Sequence, residues 1–395
     1  MNILHVISSM SQEAGGPPGV CAGLARALTA RGHAVAIATI DEPGRSRLPL
    51  PDAIPVHAFP ADNPGGYASS KSLAAWLARE TKRFDLVHLH AVWQFPTYAA
   101  ARAAYAARVP YVVMPHGMLD TYSVTHRSAW KKKLYWLLRE RRVAARAAAL
   151  HCLNRAEIRR AVPWVRRFPK FVVPNGIAQA ELDGLPARGA FRAAHPEIGD
   201  RPVALFLSRL HPKKGLDRLI PAWTDVAAKM PDACLVIAGT GDADYVAALD
   251  RLIASNNLTG QVLRVGQLQG RDKWQALVDA DVFVLPSHQE GFSMAITEAL
   301  GAGRPCVITE ECNFDEVRDA ACGVVIPDGD MPAFTRATID LLADAPTRHG
   351  IGETARTLVR TRFTWEKIAA GLEQVYTWIL ARKPLPPTGE DTWRP

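Results

Sequence analysis

RPVALFLSRLHPKKGLDRLIPAWTDVAAKMPDACLVIAGTG, residues 201–241, is the stretch on which the fold turns. An apolar run at Val203–Leu207 and a second at Cys234–Ala238 flank a segment of helical period at Leu216–Lys229. Strand, helix and strand in that order announce a parallel sheet flanked by helices. The first strand runs into a basic loop that carries Arg209, Lys213 and Lys214 before the helix begins.

The pattern repeats on both sides. Downstream, strands are expected at 262–265 and 282–285, with helices near 243–255, 272–278 and 293–302. Upstream, strands are expected at 2–8, 35–39, 86–89, 111–114, 148–153 and 171–173, with helices near 20–30, 69–82 and 97–107. A Gly/Pro loop at 15–19 follows the first strand. After the turn-forming pair Asn175-Gly176, a stretch rich in Gly, Pro and Ala runs to Arg201-Pro202 and reads as an interdomain connection. Two α/β units therefore follow one another, as 395 residues exceed what one hydrophobic core normally supports. The Pro-rich tail from 384 to 395 reads as frayed.

Composition narrows the class. With 48% hydrophobic and 22% charged residues the chain is an ordinary folded protein. It has no apolar stretch long enough for a membrane span, and its first strand lacks the form of a secretory signal, so the expected location is the cytoplasm. Cys21, Cys152, Cys234, Cys306, Cys312 and Cys322 form no CxxC pair and read as buried free thiols. The net charge of +8 is uneven: residues 1–180 carry 24 Lys and Arg against 10 Asp and Glu, and the remainder carries 23 against 29. A polyanionic partner for the first half is implied, with no nucleic-acid motif to accompany it.

The densest chemical signal is EGFSMAITEALGAGRPCV, residues 290–307. A loop with Glu290 and Gly291 leads into a helix near Ser293, whose unpaired amides suit a phosphate. Glu298 lies eight residues beyond Glu290, at most ~12 Å away along a helix. A carboxylate accepts hydrogen bonds from vicinal hydroxyls without a metal, so the two glutamates suit the two ends of a nucleotide sugar. Taken alone, the pair equally suits charge compensation at a helix start and a solvated face. Arg209 and Lys214 offer two cations to a diphosphate whose charge grows as its sugar leaves, with Lys213 an equal candidate on residue chemistry alone.

Arg209 followed by Lys214-Gly215, then Glu-x7-Glu starting Glu290-Gly291-Phe292, resembles glycosyltransferase family 4 in order and spacing. VVPNGI at 172–177 and PHGML at 115–119 extend the resemblance over essentially the whole chain. It implies retaining, metal-independent sugar transfer on a GT-B fold, in which two Rossmann-like α/β domains with parallel sheets face a central cleft. The acceptor domain would be 1–180, joined by a returning C-terminal helix at about 375–390, and the donor domain 190–372. Arg209 and Lys214 would hold the diphosphate, Glu298 the ribose and Glu290 the donor sugar. Backbone at Gly291, Phe292 and Ser293 would meet the distal phosphate. His116 matches the histidine beside the donor sugar, and Gly15-Gly16 the first glycine loop. Ser293 stands where many relatives have Gly, and Pro17-Pro18 stiffen the glycine loop. The donor would be a UDP- or GDP-sugar with no cofactor, and the acceptor a sugar or lipid-linked sugar in bacterial polysaccharide or glycolipid synthesis.

Other features carry weaker readings. His88 and His90 in HLHAVW are assigned to opposite faces of their strand, which disfavours a shared metal, and His90 is a candidate for the acceptor side. The Asp-x-Asp sets at 242–244 and 279–281 lack supporting ligands, so no metal site is expected. The segment 126–150 joins basic residues to aromatic and aliphatic anchors, suiting either an anionic membrane surface or packing on the sheet. Peripheral attachment to the inner face of the cytoplasmic membrane follows from the first. Rival readings are a nicotinamide-dependent oxidoreductase, a nucleotide-sugar epimerase or phosphorylase of the same fold, and a non-catalytic membrane scaffold. The first is opposed because Gly239-Thr240-Gly241 continues to Asp244 where a dinucleotide fingerprint needs Gly.

Overall fold

The computed structural model describes residues 1–41, 44–63, 67–120, 129–162, 165 and 167–385. Two compact units result: 1–176 with 365–395, and 177–364. Each is a wholly parallel sheet flanked by helices, a Rossmann-like unit.

Among the described residues the first unit holds seven strands: β1 (Asn2–Val6), β2 (Ala34–Asp41), β3 (Val56–Pro60), β4 (Leu86–His90), β5 (Tyr111–Met114), β6 (Ala149–Cys152) and β7 (Lys170–Val172). Their order is β3-β2-β1-β4-β5-β6-β7, so the direction of winding reverses between β1 and β4. The helix Gly16–Ala30 packs on the helix Trp365–Leu380, which completes this unit. Gly23 makes that approach possible, since a Cβ there would fall 2.2 Å from the indole of Trp365. The sequence reading set the returning helix at about 375–390, whereas it begins ten residues earlier, and 386–390 lie outside the described residues.

The second unit holds β8 (Val203–Leu207), β9 (Cys234–Ala238), β10 (Val262–Gly266), β11 (Val282–Leu285), β12 (Cys306–Thr309) and β13 (Gly323–Ile326), in the order β10-β9-β8-β11-β12-β13. Here the winding reverses between β8 and β11, and ligands of such sheets bind beyond the carboxyl ends of the strands at that point. The segment read as a connection is part of this core. Ile177, Leu182, Phe191 and Ile198 are buried in it, and the helices Gln179–Asp183 and Ala190–Ala194 form within it. Asp279 ties the segment down by accepting from the amides of Gly189, Phe191 and Arg192 at 2.5, 2.8 and 3.0 Å. The boundary therefore falls at 176/177, and the second unit ends at 364 where the sequence reading had 372.

Replacing Gly23 by Val forces the branched side chain into Trp365 and should cost ~1–3 kcal/mol through overpacking. At ~2–4 °C per kcal/mol for a unit of this size, thermal unfolding should move down by roughly 3–10 °C. An unchanged transition in the Gly23→Val variant would contradict the helix contact.

Candidate active site

Two loops at the switch point of the second unit carry the motif residues. After β8 the chain runs through Ser208, exposed Arg209 and buried Leu210 to a one-turn helix at Pro212–Lys214. Gly215 follows at φ +75°, and a Cβ on it would lie 1.9 Å from the carbonyl oxygen of Pro286. That absence of a side chain lets the loop after β8 lie against the loop after β11. Arg218 fastens the same carbonyl with two guanidinium donors at 2.9 and 2.6 Å.

The closest contact between the loops is the ion pair from Lys214 Nζ to Glu290 Oε1 at 2.5 Å, with side-chain exposures of 15% and 8%. Glu290 also accepts from Ser287 Oγ at 2.9 Å, while its own backbone is clamped by Asn313 Nδ2 and the Glu311 carbonyl. Lys213, the chemical equal of Lys214, instead reaches Gln289 Oε1 at 3.0 Å. Arg209 makes no ion pair among the described residues.

The helix Met294–Gly301 starts at the end of the second loop, capped by buried Ser293 whose Oγ accepts from the Ile296 amide at 3.4 Å. Among the described residues the amides of residues 292–295 have no hydrogen-bond acceptor, which leaves four donors open at the helix start that follows Gly291. The Phe292 ring packs on Phe314 and Phe363, with centroids 5.3 and 6.3 Å away, so its side chain supports the loop. Glu298 lies on the same helix and accepts from Lys273 Nζ at 2.7 Å. Its burial raises the carboxyl pKa while Lys273 pulls it down.

In the first unit Gly15 has φ +88° and leads into the helix at Gly16, with open space above both. His116, just after β5, also has positive φ, and the next amide, Gly117, donates to buried Glu157 at 2.8 Å. His116 Nε2 faces His90 Nδ1 at 3.2 Å, and His90 Nε2 faces His5 Nδ1 at 2.9 Å. A second line is fixed in direction by the Val173 carbonyl. His151 Nε2 must donate to it at 2.8 Å, so His151 Nδ1 accepts from His88 Nε2 at 3.3 Å, and His88 Nδ1 accepts from Tyr376 Oη at 2.5 Å. Every one of these imidazoles is neutral: burial lowers the pKa of His5 and His116 to about 3 and of His151 to about 4, and those of His88 and His90 well below the usual value. His116 can thus offer an uncharged hydrogen bond and no cation.

One reading is corrected here, and two other motifs prove to have structural partners. His88 and His90 share a face, with rings stacked 4.7 Å apart, because residues two apart on a strand point the same way. Asp281 of the second Asp-x-Asp set accepts from the Val203 amide and pairs with Arg188 and Arg192, so its work is structural. In the Gly-Thr-Gly sequence, a Cβ on Gly239 would fall 1.9 Å from the Ser208 carbonyl, so that glycine serves loop packing. Ser287, Asn313, Arg218 and Lys273 were missed, since they come from positions that no local motif links to Glu290 or Glu298. Among the described residues His5, Cys21 and His90 bring ligand atoms within 4.8 Å of one another. Their capacity is mostly spent, as both His90 nitrogens are bonded and burial holds the Cys21 thiol protonated, leaving only His5 Nε2 without a partner.

Two family models match, one described as Glycosyl transferases group 1 over residues 187–358 and one as Glycosyl transferase 4-like domain over 15–176. The chain belongs to this family of glycosyltransferases, family 4. A phosphatidyl-myo-inositol mannosyltransferase of Mycolicibacterium smegmatis is 26% identical over 90% of this chain and 88% of its own. A GDP-mannose-dependent monoacylated alpha-(1-6)-phosphatidylinositol monomannoside mannosyltransferase of Corynebacterium glutamicum is 31% identical, over 44% of this chain and 46% of that enzyme. The chain thus matches about half the length of the latter. Among solved structures, sucrose-phosphate synthase from Thermosynechococcus elongatus superposes with a TM-score of 0.76 at 22% identity, covering 97% of this chain and 100% of that one. Anabaena HepE in complex with UDP and glucose gives 0.72 at 18%, covering 95% and 99%. Both share the GT-B fold of two Rossmann-like units.

The histidine lines set a pH dependence. The unfolded chain takes up protons near pH 6.5 that the folded unit refuses until about pH 3–4, so their stabilisation is complete above pH 6.5 and is lost as pH falls. Glu140, raised by burial to about 7, works oppositely and loses its contribution as pH rises through 7. Glu157 and Glu298, also raised by burial, act in the same sense as Glu140, and the five histidines outweigh these three carboxyls, so the denaturant midpoint should fall from pH 7 to pH 5, more shallowly in a His151→Gln variant. A midpoint that is flat or rises on acidification would show that the cluster takes protons in the folded state.

Proposed function

We propose that the chain transfers a sugar, with retention of anomeric configuration, from a nucleoside-diphosphate donor held on residues 177–364 to an acceptor hydroxyl. The observation that carries this reading is the meeting of Lys214 and Glu290 beyond the strands at the switch point, with the helix start at residues 292–295 following in the same loop. The diphosphate sits against those amides and Lys214, with Arg209 free to approach from the same loop. Glu298, held in place by Lys273, takes the ribose hydroxyls, and Glu290 takes hydroxyls of the donor sugar.

In the reaction the bond between the anomeric carbon and the distal phosphate oxygen breaks, and the acceptor oxygen bonds to that carbon on the same face. The acceptor proton passes to the departing phosphate oxygen, and nucleoside diphosphate leaves. Lys214 and the helix mouth stabilise the growing charge, which leaves no step that calls for a divalent ion. The uncharged His116 suits a hydrogen bond to a sugar hydroxyl.

The relatives named for GDP-mannose and phosphatidylinositol support a GDP-sugar donor and a lipid-linked acceptor for this chain. A lipid surface also fits the first unit. Among the described residues no helix is long and apolar enough to cross a membrane. The continuous helical run of Ala129–Tyr135, Trp136–Glu140 and Arg141–Arg146 is anchored inward by Trp136, Val143 and Ala144. Its outer face shows Trp130, Leu134, Leu137 and Leu138, exposed by 49–67%, beside exposed Lys133, Arg141, Arg142 and Arg146. That is an apolar stripe edged with cations, the form of an interfacial helix on anionic lipid. The segment 126–128 of the sequence reading lies outside the described residues.

Three outcomes test the reading. Lys214→Ala should weaken nucleoside-diphosphate binding by tenfold or more, whereas Lys213→Ala should change it little; calorimetric titration with GDP and UDP measures this, and equal mild effects would sink the assignment. Transfer assayed with excess chelator should proceed at full rate, and loss restored only by a divalent ion would reject a metal-independent site. Flotation with vesicles containing phosphatidylinositol should capture the protein, and a Leu134→Ser/Leu137→Ser/Leu138→Ser variant should float several-fold less; equal flotation of the two would refute the helix as the contact.

A further inference from the structure

The second unit carries a cationic cavity at the end of its sheet opposite to the donor loops. It has a volume of about 230 Å³ and is lined by Arg188, Asp281, Arg304, Arg348, His349 and Arg356 among others. Asp281 immediately precedes β11 and Arg304 lies two residues before β12, so the cavity opens at the amino ends of these strands, whereas Glu290 and Lys214 lie beyond carboxyl ends.

The charges within it do not balance. Asp281 is shared by Arg188 at 2.8 Å, Arg192 at 3.3 Å and Arg348 at 3.6 Å. Arg356 pairs with Glu353, a residue more than half exposed. Among the described residues Arg304 makes no ion pair: its Nε donates to the Ala302 carbonyl at 3.2 Å and its Nη1 to the Ala280 carbonyl at 2.7 Å. Four guanidiniums thus line the cavity with two carboxylates, Asp281 and Glu353, and Asp281 is further shared with Arg192 outside the lining. Burial and the neighbouring Arg188 and Arg356 push the Arg304 pKa down to about 10 although Asp281 opposes them, as expected where cations outnumber carboxylates.

The backbone is shaped to hold this crowd. Gly303, at φ +74°, lies under Arg356, and a Cβ on Gly352 would fall 2.5 Å from the Gly303 carbonyl oxygen, so the helix Ala345–Arg362 can bring Arg348 and Arg356 close to Arg304. Planar guanidiniums lining one small space match the oxygens of a phosphate group, although Arg348 Nη1 is already bonded to the Leu341 and Leu342 carbonyls. The volume admits one or two phosphates and little more.

We propose that this cavity is a second ligand site, which binds a small anion bearing a phosphate or diphosphate group, apart from the donor site. The inference stands whether or not the donor reading holds. Calorimetry with inorganic pyrophosphate at constant ionic strength tests it. Wild-type protein should bind at this site, and an Arg209→Ala/Lys214→Ala variant should keep that binding because the donor loops are not involved. An Arg188→Gln/Arg356→Gln variant should lose it by tenfold or more while its GDP affinity stays within twofold; should that variant not fold, Arg356→Gln alone should weaken it several-fold. Phosphatidylinositol vesicles added as competitor distinguish the source: displacement of pyrophosphate assigns the site to a lipid headgroup, and none assigns it to a free phosphate compound. Pyrophosphate binding that vanishes in Arg209→Ala/Lys214→Ala, or that is unchanged in Arg188→Gln/Arg356→Gln, would overturn the proposal.

Discussion

A lysine and a glutamate brought together almost out of water, Lys214 and Glu290, hold the candidate site in shape. Each comes from a loop at the carboxyl end of a strand, and the two strands, β8 and β11, are neighbours where the winding of the sheet reverses. Such a pair stabilises little by itself because both ions give up hydration. Its effect is on position: with Gly215 beneath the Pro286 carbonyl and Arg218 bonded to it, the two loops can adopt few other arrangements. In the proposed function a diphosphate competes with Glu290 for Lys214, and the carboxylate so released takes sugar hydroxyls.

The helix Met294–Gly301 links the two anion-attracting features of this unit. Its first turn offers free amides beside Gly291, and the carbonyl of its capping residue Ala302 is held by Arg304 and Arg356. Both arrangements follow from the unpaired groups at helix ends, donors at one end and acceptors at the other. The net acidity of the half-chain after residue 180 conceals the cationic cavity, because charge counted along a sequence says nothing of which side chains a fold gathers.

Much of this was legible in the sequence where chemistry is local. Val203–Leu207 and Cys234–Ala238 are uninterrupted apolar runs and were read as strands with the bounds they have. Lys214-Gly215 and Glu290-Gly291 sit in loops between such a strand and a helix, where a phosphate reading is natural. Strands β3 and β13 escaped notice because they are short and only half-buried, and β12 because four residues between a turn and a loop give no period to detect. The segment 177–201 looked like a connection since Gly, Pro and Ala dominate it, yet a few large apolar residues and the distant carboxylate of Asp279 fix it to the core. Lys273 and Asn313 reach the site from elsewhere in the chain, a pairing that only the folded topology creates. The strand period puts His88 and His90, two residues apart, on one face, and there they join a buried imidazole line that ends at His116.

The most direct test of the account is a crystal structure of the chain with a bound nucleoside diphosphate. The account predicts the distal phosphate within hydrogen-bonding distance of Lys214 Nζ and of the amides at 292–294, with the ribose hydroxyls on Glu298. A nucleotide seated elsewhere, with the Lys214–Glu290 pair undisturbed and the helix mouth empty, would contradict it.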